Sequence, residues 1–318
     1  MVTKKVWLII GLLLSFVGLL IFGIALCVSG FNFKNLNGKR YDEYIYSIEE
    51  NFDSIKIDSK EQNINIVYSD DNENKVIFYD KVDYGSFNVT EGTLYITNNY
   101  VKKWYENIFD FTESKITVVL SKNEYKKLAI SNSTGDIMLC KEIKFEEAEI
   151  NLSTGDIKCL SNEIDNLTIV GSTGDVEINE LSSSMIKVKL TTGDIKLSSV
   201  ESKNSIDLYN STGEIELNNV ITTTLNIDGT TGDVDLNNLI ALDRININRS
   251  TGDVEFEKID ASIINIKTKT GDIIGSVLSE KIFNVSSKTG EVSVPKSETG
   301  GEFEANASTG DIIIRIKK

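Results

Sequence analysis

Val188-Lys189-Leu190-Thr191-Thr192-Gly193-Asp194-Ile195-Lys196-Leu197 holds two short runs of alternating side chains joined by Thr-Gly-Asp. The arrangement returns through the second half of the chain. Thr-Gly followed by an acid occurs at Gly135, Gly155, Gly174, Gly193, Gly213, Gly232, Gly252, Gly271, Gly290 and Gly310, spaced 19 or 20 residues apart. A fixed period in this range marks a repeat protein, in which each repeat is one supersecondary unit stacked on the next.

The residues around each turn show the period of a strand. After the acid stands a β-branched residue in every copy, from Ile137 and Ile157 through Ile195 to Val292 and Ile312. Two positions on come Leu139, Cys159, Ile178, Leu197, Leu217, Leu236 and Phe256; four before the Thr come Ile130, Ile150, Ile169, Val188, Leu208, Ile227 and Ile247. Alternation of period two on both sides of a glycine turn means two strands sharing one core, and β-branched residues favour strand over helix. A unit of this length is too short for a propeller blade, and the Leu/Asn consensus of leucine-rich repeats is missing. The pattern therefore predicts an all-β fold, a single-chain parallel β-solenoid with coils of 19–20 residues, like residues stacking about 4.8 Å apart. Glycine supplies the positive φ of a sharp corner, and the acid after it accepts bonds from turn amides. Leu181, Val200, Val220, Leu239, Ile259 and Leu278 read as one inward side chain on an outer arc of each coil.

Residues 6–28 run without a charge, long enough to span a bilayer, and longer than the apolar core of a cleaved signal. They read as one N-terminal transmembrane helix after a short flank, 1–5. Residues 29–50 read as a spacer, and 51–318 as the solenoid, with 51–127 irregular capping coils and 128–318 regular repeats. Flanking lysines are nearly balanced and leave orientation open. A long polar solenoid behind an apolar segment is most simply exported. The composition, with one Pro and no His, points to an AT-rich bacterial genome and a Gram-positive-type cell. Between Asn99 and Thr112 the strand alternation is interrupted by Tyr100, Trp104, Tyr105, Phe109 and Phe111, a candidate partner contact or a cap over the open end.

Phe52-Asp53-Ser54-Ile55-Lys56-Ile57, Gly92-Thr93-Leu94-Tyr95-Ile96, Ile116-Thr117-Val118-Val119-Leu120 and the serial Ser-Thr-Gly-Asp-Ile/Val turns resemble the bacterial "putative adhesin" family of unknown function. The resemblance covers residues 52–318 and implies a membrane segment joined to a β-solenoid. It departs at Ser121, where the family often carries Pro.

The chain has no histidine, which removes the commonest general base and metal ligand, and it lacks a P-loop, a G-x-S-x-G elbow and a CxxC pair. Lys269-Thr270-Gly271 and Lys288-Thr289-Gly290 match a KTG box and Ser184-Met185-Ile186-Lys187 an S-x-x-K. No S-D-N accompanies them and Ser184 precedes a strand, so they belong to the repeat. Stacking places the acids in one file, where Asp156, Asp175 and Asp194 are weak candidates for Ca²⁺, although the G-G-x-G-x-D signature of calcium-binding coils is absent. No other metal or cofactor is expected. The net charge of −15 argues against nucleic acid. The expectation is a single-pass cell-membrane protein with an extracytoplasmic, non-catalytic structural or adhesive module for a surface or extracellular glycan or protein. The alternative is an envelope-stress sensing ectodomain working through a membrane partner.

Overall fold

The computed structural model describes residues 4–28, 30–31, 41–101, 112–160 and 163–317. A helix, Lys4–Val28, is followed, among the described residues, by strands alone. Its apolar side chains, Trp7, Leu13, Leu19 and Ile24 among them, are exposed. The remainder is a β-solenoid of about nine turns. Parallel ladders join successive coils, for example Ile195 to Ile215 to Val234 to Val254, with register shifts where coil length changes, as between Glu201 and Ser205. The predicted interior columns are buried: Ile195, Leu197, Ile215, Leu217, Leu225 and Val234 are at 0% exposure. A β-branched side chain repeated at one position of every coil meets its own kind above and below, so the core is built from stacked like residues.

Each coil has three ladders rather than two strands and an arc. Between neighbouring coils Ile195–Ser198, Val200–Glu201 and Ser205–Thr212 each pair in parallel. The Thr-Gly-acid turn forms the first corner. The second is a column of left-handed residues without glycine, Glu180, Ser199, Asn219, Asn238 and Lys258, with φ of +52° to +57°. The Nδ2 of Asn238 donates to Asn219 Oδ1 at 2.8 Å, tying two of these corners together. The third turns around buried hydroxyls. Ser202 Oγ donates to Ser184 O at 3.1 Å and to Ser205 O at 3.0 Å, and Ser183 acts likewise one coil earlier.

Stacking follows chain order through the middle of the rod and departs from it at both ends. Strand Gly301–Thr309 lies between Ile263–Thr270 and Lys281–Thr289, and Ile312–Ile316 between Ile273–Val277 and Val292–Ser293. The last coil in sequence is therefore inserted, and the coil before it is outermost. Lys281, 2% exposed, fixes the start of the skipped level: its Nζ reaches Asp260 Oδ1 at 2.5 Å, Ala261 O at 2.7 Å and Ser279 Oγ at 2.9 Å. Gly300 and Gly301 pass so close that an added Cβ would lie 1.8 Å from Glu280 O and 2.4 Å from Ser262 O. The outermost edge is blunted by a strand of only two residues, Val292–Ser293, and by Pro295, the sole proline.

The N-terminal end repeats the device. Strand Ser54–Ser59 lies between Thr93–Asn98 and Glu124–Thr134, and Asn63–Tyr68 between Lys115–Leu120 and Ile137–Leu139. Outside them Asn74–Asp80 pairs antiparallel with Lys115–Leu120, and Ser86–Thr90 with Thr93–Asn98. Asp42–Ile48 adds a further antiparallel strand on Asn74–Asp80. The second half of the expected 29–50 spacer is thus part of the cap. Its Tyr44, Tyr46 and Ile48 alternate inward and cover the open core, which a free spacer would leave wet.

Candidate functional site

The file of acids is bonded from coil to coil at all but one rung among the described residues. Oδ1 of Asp136 accepts from Asp156 N, that of Asp156 from Asp175 N and that of Asp175 from Asp194 N, each at 2.9 Å. Asp194 accepts from Glu214 N at 2.8 Å. At the near end Asn63 stands in the acid's place and accepts from Asp136 N at 2.8 Å. At the far end the order is Asp253, Asp272, Asp311, Glu291, following the inserted coil. The acceptors thus serve the amide of the neighbouring coil rather than their own turn, a charge-assisted bond that offsets repulsion within the file. Asp156, Asp175 and Asp194 each spend an oxygen this way. Among the described residues no group of three or more His, Cys, Asp or Glu side chains is arranged to hold a metal ion.

One rung differs. Among the described residues no bond joins Asp233 N to Glu214; the Glu214 carboxyl turns to Asp235, and that hydrogen bond raises its pKa above the ordinary 4.5.

Of the expected contact residues, Trp104, Tyr105, Phe109 and Phe111 lie outside the described residues. Tyr100 is half-buried and stacks on Tyr84, ring centroids 4.3 Å apart and planes 8° from parallel. Tyr46 packs between Phe78 and Phe87, at 6.2 and 5.4 Å, beside Tyr41 and Tyr79 at 5.4 Å. These rings belong to the N-terminal cap, and a second group, Phe256, Phe303 and Phe283, lies in the coils at the other end.

Two features of the interior escaped the sequence reading. Arg249 is buried, its Nη1 2.6 Å from Asn210 Oδ1 and its Nη2 3.0 Å from Gly213 O, and burial lowers its pKa. It fills space left by Gly229, where a Cβ would meet Nη1 at 1.7 Å. The signal was available: in the column two before the Thr, Leu152 and Leu190 give way to Asn210, Gly229 and Arg249. Gly275 likewise leaves room for the Phe256 ring and lies in the wall of an open depression of about 660 Å³, lined also by Glu216, Asp235, Asn237, Glu255 and Glu257. Lys317 pairs with Glu257 there at 2.5 Å.

The family model described as Toastrack DUF4097 matches residues 52–218 and 201–318. The crystal structure of a "putative lipid binding protein" from Parabacteroides distasonis is 16% identical, with a TM-score of 0.55 over 75% of this chain and 98% of that one. A "putative adhesin" from Parabacteroides merdae is 14% identical, with a TM-score of 0.50 over 75% and 97%. At such identities the likeness is one of fold. No curated protein matches the chain.

Proposed function

The chain belongs to the Toastrack DUF4097 family, and from that premise we propose that it is a membrane-anchored, extracytoplasmic β-solenoid serving as a non-catalytic adhesive or structural surface module. The observation that carries this reading is the contrast between its two parts. The helix is apolar on every face and exposed, which suits a bilayer and not water. The solenoid closes its own core and spreads a long lateral surface of polar side chains. The file of carboxylates at the Thr-Gly-acid corner is engaged with backbone amides, which fits architecture better than acid–base chemistry. The fold is shared with a protein described as a "putative adhesin", and a glycan or protein at the cell surface is the partner class this reading takes.

The test is topology in intact cells expressing the full chain. The reading expects the protein in the carbonate-washed membrane fraction and its solenoid labelled by an impermeant amine reagent. Recovery in the soluble fraction, or labelling only after lysis, would overturn it.

A further inference from the structure

One lateral face carries a groove of different chemistry from the rest of this acidic molecule. Tyr209, Asp228, Asn248 and Lys267 are register partners in consecutive coils and form one outward column. With Thr230 and Lys269 they line a depression of about 450 Å³. Tyr209 is 37% exposed; of the other aromatic rings of the regular coils Phe145, Phe256 and Phe303 are buried and Phe283 is half-buried. Lys189 sits 5.6 Å from the Tyr209 ring centroid, and Lys187 projects from the same strand. Among the described residues Lys187, Lys189 and Lys269 have no ion pair, and Lys267 has only Glu304 at 3.7 Å. Beneath the floor at Gly229 lies the Arg249 guanidinium, bonded to amide oxygens and not to a carboxylate, its Nε unpartnered. On a chain of net charge −15 this face groups four lysines over a buried arginine, with Asp207, Asp228 and Glu304 as the acids beside them.

We propose that this groove binds an acidic polysaccharide, with carboxylates carried on pyranose rings. An exposed tyrosine offers a flat apolar face to the C–H side of a sugar and a hydroxyl at its rim. Asp228, Asn248 and Thr230 supply acceptors and donors for ring hydroxyls, and Lys189, Lys267 and Lys269 supply charge-assisted bonds to carboxylates. The column from Tyr209 to Lys267 spans three coil steps, about 14 Å, which suits an extended oligosaccharide lying along the rod axis. Charge complementarity selects an anionic polymer over a neutral one. The assignment rests on the surface-module reading and names its ligand class.

The test uses the full chain in detergent micelles and measures retention on immobilised polygalacturonate, with dextran and poly-glutamate as comparators. Binding to polygalacturonate that weakens with salt is expected, with little to dextran. Tyr209→Ala and the pair Lys267→Gln/Lys269→Gln should each weaken it about tenfold or more, as for truncated binding hot spots. Lys203→Gln, away from the groove, should leave it unchanged, and all variants should melt as the parent does because these side chains point outward. Absence of binding, insensitivity to the groove substitutions, or equal retention of poly-glutamate would overturn the assignment. Failure here with the chain still labelled on intact cells removes the groove's ligand and leaves the surface module standing.

Discussion

The carbonyl of Thr309 accepts a 2.9 Å bond from the amide of Gly271, although the complete Thr289-Gly290-Glu291 corner lies between them in the chain. The Gly310 amide in turn reaches Thr289 O at 3.2 Å. The last coil is thus held between two earlier ones, and at the other end the first parallel strands, Ser54–Ser59 and Asn63–Tyr68, are likewise enclosed. In a repeat array, where stability is a sum of neighbour interfaces, the outermost unit frays first. Tucking the last coil and the first parallel strands one level inward gives each two interfaces instead of one.

That order can be read by cross-linking. Lys267 and Asn306 are register partners, whereas Lys267 and Ser286 lie two levels apart with Asn306 between them. Lys267→Cys/Asn306→Cys should oxidise to a disulfide, because adjacent strands bring Cα atoms within bridging range. Lys267→Cys/Ser286→Cys should not, the separation being about 10 Å. Peptide mapping identifies the bridge, and the reverse outcome would restore simple chain order.

The corner glycines serve two requirements. Gly213 has φ of +138°, far beyond the left-handed helical region, and an added Cβ would lie 2.0 Å from Gly193 O. Gly213→Ala should therefore cost more than about 2 kcal/mol, the strain of such a backbone region plus the overlap. Thr212→Ser should be nearly neutral. Melting temperatures of the three proteins check this.

The acid ladder makes a finer prediction. Asp194→Asn keeps an Oδ1 to accept from Glu214 N and should shift stability by about 1 kcal/mol or less. Asp194→Ala removes the acceptor and should cost roughly 0.5–1.5 kcal/mol. Denaturant midpoints for the two variants distinguish them.

Glu214 adds a pH dependence of defined sign. Its pKa is raised by the hydrogen bond with Asp235, so the folded state holds its proton more tightly than the unfolded chain. The stabilisation is complete below the ordinary carboxylate pKa and is lost as pH rises through the raised folded value. The stability of the parent relative to Glu214→Gln should accordingly be greater at pH 4 than at pH 7. A constant difference across that range would show that Glu214 and Asp235 do not share a proton in the fold.

Much of the solenoid was legible because its determinants are local and periodic. Ile195, Leu197 and Leu208 announce inward columns by alternation, and Gly193 announces the corner. The second corner was harder to see, since Glu180, Ser199 and Lys258 carry no glycine and only Asn219 and Asn238 hint at a left-handed turn. The level order at the ends was not legible. Near-identical coils can stack in any order, and the choice rests on Lys281 reaching Asp260 and on two glycines letting the backbones pass. The acceptor role of the acids is legible at the corner itself; that their partner is the next coil's amide depends on register, which period alone does not give. The expected aromatic contact was legible only as composition.

The most direct measurement is attachment of cells displaying the full chain to a polygalacturonate-coated surface, comparing Asp194→Asn with Tyr209→Ala/Lys269→Gln. The account predicts unchanged attachment for the acid variant, because Asp194 serves the stack, and a loss of about tenfold for the groove variant. Attachment abolished by Asp194→Asn and untouched by the groove substitutions would contradict it, and would place function in the acid file.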